Sequence, residues 1–338
     1  MNYIFQIFIS LLLIFIIIHL CKKKNFLLNA SGDKHQKFLS YYNIPLAGGL
    51  VLFLLSSTFI NIKKFEIYFF FILMFLIGLF SDLKIITSTF IRFILQSIII
   101  FVIIYLSNIF VDNTDIIYLD FLLNNIFFKY IFTLFCILII VNGSNFIDGI
   151  NTLNLGYFII IILNLTFLNN ENLILSQVLD LYNLLIIMIL LYGFNFFNKL
   201  YLGDSGAYFI GLIFSIFLID FYNQNENLSS IYIVNLLWYP AFENLFSIIR
   251  KIKFSKSPVK PDTNHFHHLL YQFFKKLKLP NDKKNTLTGL TINFYNIFCI
   301  TVASNFKFNT QVQIMIILLN IFVYIIIYSK FFSKYKKY

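Results

Sequence analysis

The chain has 338 residues, 59% hydrophobic, 20% aromatic and only 12% charged, with a mean hydropathy of +0.81. A water-soluble chain needs roughly a quarter of its residues charged to cover its surface, so two or three soluble domains are excluded and the chain belongs in a bilayer. The net charge of +11 would suit nucleic acid, but in a membrane chain the placement of charge matters more than its total. Cys21, Cys136 and Cys299 are far apart and odd in number, which indicates neither a disulfide framework nor a zinc cluster.

Apolar runs long enough to approach a hydrocarbon core of roughly 30 Å lie near 3–20, 45–60, 67–80, 91–106, 127–141, 154–168, 181–197, 206–222, 230–249, 288–305 and 312–329. The first has no basic stretch before it, is followed by Lys22, Lys23 and Lys24, and lacks a small-residue cleavage site; it reads as a retained span and not a signal peptide. The runs lack the alternation of barrel strands, and lipid-exposed backbone must satisfy its own hydrogen bonds, so they are expected to be helices. Placing the N-terminus outside puts 21–44, 81–90, 142–153, 198–205, 250–287 and the C-terminal tail in the cytoplasm, with only Lys63, Lys64, Lys129 and Lys307 outside. That asymmetry follows the positive-inside rule. The expectation is an all-α, polytopic transmembrane bundle of about eleven spans, one integral membrane domain over 1–338, with 250–287 as a long cytoplasmic loop.

The acids divide by side. Glu66, Asp112, Asp115, Asp120, Glu171, Asp180, Asp220 and Glu226 fall near outer ends, where solvated loops explain them. Asp33, Asp82, Asp148, Asp204 and Asp262 fall in inner connections or at inner helix ends. Ionisable groups at membrane level are costly and mark function by default, which implies a polar site facing the cytoplasm.

Taken in chain order, Gly32-Asp33-Lys34-His35-Gln36-Lys37 leads to Pro45-Leu-Ala-Gly48-Gly49, basic residues beside tight backbone; positive-inside ballast is the bland alternative. Ser81-Asp82-Leu83-Lys84 ends the third run, and Arg92 lies one turn before Gln96 in the fourth. In Asn142-Gly-Ser-Asn145-Phe-Ile-Asp148-Gly-Ile-Asn151, the spacing by three stacks Asn142, Asn145 and Asp148 on one face if helical. Their oxygens suit a hard cation or a nucleotide's donors, and a capped Asn/Gly turn is an equal reading. Gly203-Asp204-Ser205-Gly206 opens an apolar helix, where Asp204 is either a cap or an outward-aimed ligand and the helix N-terminus suits phosphate. The long loop carries His265-Phe266-His267-His268, three of the five histidines. Without Cys or an HExxH pattern a zinc site is the weaker reading, and a cationic cradle for phosphate is the stronger.

Together and in this order, these residues resemble the polyprenyl-phosphate N-acetylhexosamine-1-phosphate transferase family, glycosyltransferase family 4, of the undecaprenyl-phosphate GlcNAc-1-phosphate transferase type. The resemblance runs from about residue 33 to 270, and the HxHH form looks more like the N-acetylhexosamine branch than the muramoyl-pentapeptide branch. Two departures stand out: Ser81 precedes Asp82 where the family has adjacent aspartates, and Asn151-Thr152 stands where it has a second Asp-Gly.

The resemblance implies transfer of N-acetylhexosamine-1-phosphate from a UDP-sugar to undecaprenyl phosphate, releasing UMP, at the cytoplasmic face of the bacterial inner membrane during envelope polysaccharide synthesis. Attack of one phosphate on another brings like charges together, so cations are required. The implied metal ligands are Asp204 and Asp148 for Mg²⁺, with Mn²⁺ as substitute. Asp82, Asp148 and His268 are the implied catalytic residues. Lys37, Lys84, Arg92, Asn142, Asn145, His265 and His267 are the implied substrate-binding residues. The partners expected are UDP-N-acetylhexosamine, undecaprenyl phosphate, the lipid bilayer and a second copy in a homodimer, with no nucleic acid. The rivals are a transporter of an anionic or lipid-linked solute and a catalytically impaired scaffold, the latter suggested by the lost carboxylates.

Overall fold

The computed structural model describes residues 3–28, 44–59, 65–168, 180–225, 227–255, 257 and 264–335. These form α1 (Tyr3–Lys23), α2 (Gly48–Phe59), α3 (Phe65–Asp82), α4 (Thr89–Ser107), α5 (Ile117–Leu123), α6 (Ile126–Ile147) and α7 (Leu153–Leu168). They continue with α8 (Leu181–Phe196), α9 (Gly203–Asn223), α10 (Ser230–Leu236), α11 (Trp238–Lys253), α12 (Phe266–Phe274), α13 (Asn281–Asn305) and α14 (Thr310–Tyr335). Among the described residues there is no strand, only an isolated bridge between Leu28 and Pro45. Helix starts are marked where sequence chemistry predicts: Ser88 accepts from the Ile91 N–H, Asn125 from Phe127 and Phe128, and Asp180 from Asn183, each occupying a donor that the first turn leaves orphaned.

α1, α4, α6, α9, α13 and α14 are long and apolar enough to cross a membrane, and α2, α3, α7 and α8 are shorter apolar helices. The perimeter leaves Phe8, Ile98, Phe294 and Phe322 exposed, an apolar belt that suits lipid and not water. The protein is membrane-integral. α9 is apolar nearly all round, so it is expected in the middle; almost all its residues are buried, and it packs on α2, α3 and α6.

The start of α9 is held at very short range. Tyr201 N–H donates to Pro45 O, Gly48 N–H to Tyr201 O and Gly49 N–H to Leu202 O, at 2.9, 2.8 and 2.8 Å. A Cβ on Gly49 would lie 2.2 Å from the Gly206 nitrogen, and one on Gly78 would lie 2.3 Å from the Ser205 Cα. Only hydrogen fits at these crossings, so α2 and α3 can press directly on the first turn of α9.

The run 230–249, expected as one span, is broken at Leu237 into α10 and α11. Pro240 has no N–H to return to Leu236 O four residues back. That carbonyl accepts instead from Tyr157 Oη of α7 at 2.8 Å, which answers the need to satisfy backbone within hydrocarbon. Two further helices, α5 and α12, form inside what the hydropathy pattern leaves as connections.

Candidate active site

α9 starts at Gly203 with φ 77°, a conformation glycine adopts without steric cost. A Cβ there would also lie 2.8 Å from Asp82 Oδ2. Asp82 ends α3, and its Oδ1 accepts from the Asp204 N–H at 2.8 Å while Oδ2 accepts from the Ser205 N–H at 3.0 Å. No side chain at the preceding Leu202 caps this helix. Asp82 therefore caps α9 from a neighbouring helix, and its two oxygens face backbone.

Asp204, in the first turn of α9, is a hub. Its Oδ1 accepts from Asn145 Nδ2 at 2.7 Å, and its Oδ2 accepts from Ser81 Oγ and Arg92 Nη1, each at 2.6 Å. Arg92 Nη1 also reaches Tyr208 Oη at 3.3 Å. Helices α3, α4, α6 and α9 thus converge on one carboxylate, and Ser81, standing where the family pattern has an aspartate, contributes a hydroxyl to it.

Asp148 follows the last residue of α6 and accepts from the Gly203 N–H. Burial, and then the negative charges of Asp204 and Asp82, push its carboxyl well above the usual range; such crowding of acids favours a cation. The next residue, Gly149, meets the histidine motif: a Cβ there would lie 2.9 Å from His267 Nε2 and 3.4 Å from His268 Cε1. His267 is wholly buried, with no partner for either ring nitrogen among the described residues. Burial, then the charges of His268, His265 and Arg250, hold its imidazole well below the usual pKa, hence neutral. The His267 and His268 rings are 4.2 Å apart, and His265 stacks on His267 at 5.5 Å. Asp148-Gly149 consequently joins the Asp204 hub to the imidazoles at one end of the bundle.

Other expected residues lie elsewhere. Asn142 Nδ2 donates to Gln96 Oε1 at 3.2 Å and to Leu138 O at 3.0 Å, tying α6 to α4 one turn before Asn145. Lys84 sits exposed in the turn after α3 with φ 60°. Lys37, with Asp33 and Asp262, lies outside the described residues. Asn151 is buried and donates to Asn195 O at 3.0 Å and Asn198 Oδ1 at 2.5 Å, so it braces the α7–α8 side and takes no part in the Asp204 hub.

Three residues that the sequence reading passed over sit beside the histidines. Glu243 of α11 has no exposure; its Oε1 faces His265 Nδ1 at 3.0 Å and its Oε2 accepts from Tyr324 Oη at 2.5 Å. Arg250 donates to Asn264 O, and to Tyr328 Oη at 2.8 Å. Lys251 is buried, its ammonium 5.7 Å from the centre of the Phe146 ring. The available signal was an acid inside the apolar run Trp238-Tyr-Pro-Ala-Phe-Glu243, where a carboxylate is too costly to lack a task.

Among the described residues no three His, Cys, Asp or Glu side chains are grouped as a ready metal cage. The oxygen donors of Asp204, Asp148 and Asn145 nonetheless fit magnesium, which is held by one or two carboxylates, retained waters and substrate phosphates and seldom by an all-protein cage.

Residues 65–222, which include Ser81, Asp82, Arg92, Asn145, Asp148 and Asp204, match the glycosyl transferase family 4 profile. The chain is 32% identical over 150 residues, 43% of its own length and 41% of the relative's, to the probable undecaprenyl-phosphate N-acetylglucosaminyl 1-phosphate transferase of Bacillus subtilis (strain 168). It is 28% identical over 109 residues, 31% of its length and 36% of the relative's, to the undecaprenyl-phosphate alpha-N-acetylglucosaminyl 1-phosphate transferase of Thermotoga maritima. The chain thus spans about two fifths of the length of the curated relatives it matches. The family match covers 158 of the chain's 338 residues, a little under half, and takes in the segment that carries the Asp204 hub.

Proposed function

We propose that the protein transfers N-acetylhexosamine-1-phosphate from a UDP-sugar to undecaprenyl phosphate at the cytoplasmic face of a bacterial inner membrane, with about eleven spans, the N-terminus outside and the C-terminus inside. The observation that carries this reading is the meeting of Asp204, Arg92, Asn145 and Asp148 with His267 and His268 at one end of a membrane bundle. One substrate is tethered in the bilayer and the other is a soluble anion, so the chemistry belongs at an interface between the two.

An oxygen of the lipid phosphate attacks the β-phosphorus of the UDP-sugar, a new P–O bond forms, and the bond to the bridging oxygen breaks with its electron pair leaving on UMP. The lipid phosphate is already largely deprotonated near neutral pH, so positioning and charge neutralisation do most of the work. Arg92, held by Asp204 and Ser81, presents guanidinium charge. Asn145 orients Asp204, and Asp82 fixes the turn on which Asp204 is carried. His267 enters neutral, so its ring can donate through one nitrogen and accept through the other. Mg²⁺, when bound by Asp204 and Asp148, would neutralise diphosphate oxygens.

Membranes containing the protein, supplied with undecaprenyl phosphate, labelled UDP-N-acetylhexosamine and Mg²⁺, are expected to form a chloroform-soluble product that chelation and Asp204→Asn each abolish. Wild-type membranes inactive on a full panel of UDP-sugars would refute the reading and favour an impaired homologue.

A further inference from the structure

The segment Asn264–His268 needs a support that the Asp204 hub does not supply. His265 is the N-cap of α12 but makes no side-chain cap itself; the Phe266 N–H donates to Glu243 Oε1 at 3.2 Å. The same oxygen faces His265 Nδ1, and the other accepts from Tyr324 Oη of α14. One turn further along α14, Tyr328 Oη donates to Asn264 O at 2.9 Å, and that carbonyl also receives Arg250. Two tyrosines spaced by four on one helix face therefore clasp residues 264–266 through a carboxylate and a guanidinium of α11.

We propose that Glu243 is the positioning residue of the histidine motif, and that α14 takes part in the site through Glu243–Tyr324 and Arg250–Tyr328. A buried carboxylate is retained only when its oxygens are paired, and among the described residues the hydrogen-bond partners of Glu243 are His265, Phe266 and Tyr324, which belong to, or brace, the His265–His268 segment. Its contact fixes the proton of His265 on Nδ1 and so sets the opposite role for Nε2: acceptor in the neutral ring, donor in the imidazolium. Carboxylates that orient a ligating histidine in this way act through the ring and never touch the ligand. The proposal rests on the transferase reading and names the residues that align its imidazoles. It extends the site beyond residue 222, where the family match ends, to the final helix.

The test uses the full chain with Glu243→Gln, Glu243→Asp and Tyr324→Phe, reading kcat and KM for the UDP-sugar together with the histidine ¹⁵N resonances that report the His265 tautomer. Glu243→Gln is expected to lower kcat/KM by about 10–100-fold and to release the His265 tautomer. Glu243→Asp is expected to recover part of both, and Tyr324→Phe, which keeps the carboxylate, to show a smaller loss of the same kind. Unchanged kcat/KM or an unchanged tautomer in Glu243→Gln overturns the proposal. If Glu243→Gln does not insert, wild-type behaviour of Tyr324→Phe in both readouts overturns it. A wild-type chain without transferase activity would sink the function while the tautomer measurement still judged Glu243.

Discussion

Replacing Asp82 by asparagine separates the role its position suggests from the role its contacts define. If Asp82 acted on the lipid phosphate, Asp82→Asn would leave the fold intact and abolish turnover. In the structure its carboxylate receives two backbone N–H groups, from Asp204 at 2.8 Å and Ser205 at 3.0 Å. An asparagine oxygen keeps one of these bonds, but its NH₂ points a donor at the other N–H. One charge-assisted bond is lost, about 1.5–3 kcal/mol, together with the attraction between a carboxylate and a helix N-terminus, about 0.3–1 kcal/mol. The sum is about 2–4 kcal/mol, a large share of a stability margin of about 5–15 kcal/mol. Thermal unfolding of detergent-solubilised protein can be followed by thiol reactivity, because Cys21 and Cys299 are free and buried. Asp82→Asn is expected to melt clearly below wild type, with activity falling as Asp204 shifts. A variant with the wild-type melting point and no turnover would refute the capping argument and return Asp82 to the substrate.

Two further outcomes follow from the same geometry. Arg92→Lys keeps the charge but, with a shorter side chain, sets its one nitrogen back from the point at which Arg92 Nη1 reaches Ser81, Asp204 and Tyr208; losing one charge-assisted bond of about 1.5–3 kcal/mol predicts a fall of about 10–100-fold in kcat/KM, measured by lipid-linked product formation. Asn151→Asp restores the family's aspartate in sequence yet is expected to destabilise the protein by about 2–6 kcal/mol. It turns two acceptors, Asn195 O and Asn198 Oδ1, toward a carboxylate oxygen in a buried place, at about 1–3 kcal/mol for each stranded group; a higher melting point or gained activity would contradict this.

Hydropathy alone made the membrane bundle legible, because burial of backbone in lipid leaves helices as the only economical solution for such runs. The break at Leu237 was less visible: Pro240 marks it, but whether a proline kinks or interrupts a helix depends on what receives the freed carbonyl, here Tyr157 from another helix. Asp204, Asn145, Asp148 and the histidines were legible from motif order. The backbone contacts of Asp82 were not legible, since a carboxylate aimed at backbone amides and one aimed at a ligand read alike in one dimension. Glu243 was passed over because its partners, His265 and Tyr324, lie 22 and 81 residues away in sequence, with no spacing rule connecting them.

The junction of α10 and α11 also constrains how this protein can change. A missing amide at Pro240 is complemented by a phenol on Tyr157, so the two positions are chemically interdependent although far apart in the chain. A relative with alanine at the first site regains its own donor and can dispense with the tyrosine. One that keeps proline but carries phenylalanine would leave a lone acceptor in hydrocarbon. The two sites are therefore expected to vary together among related sequences.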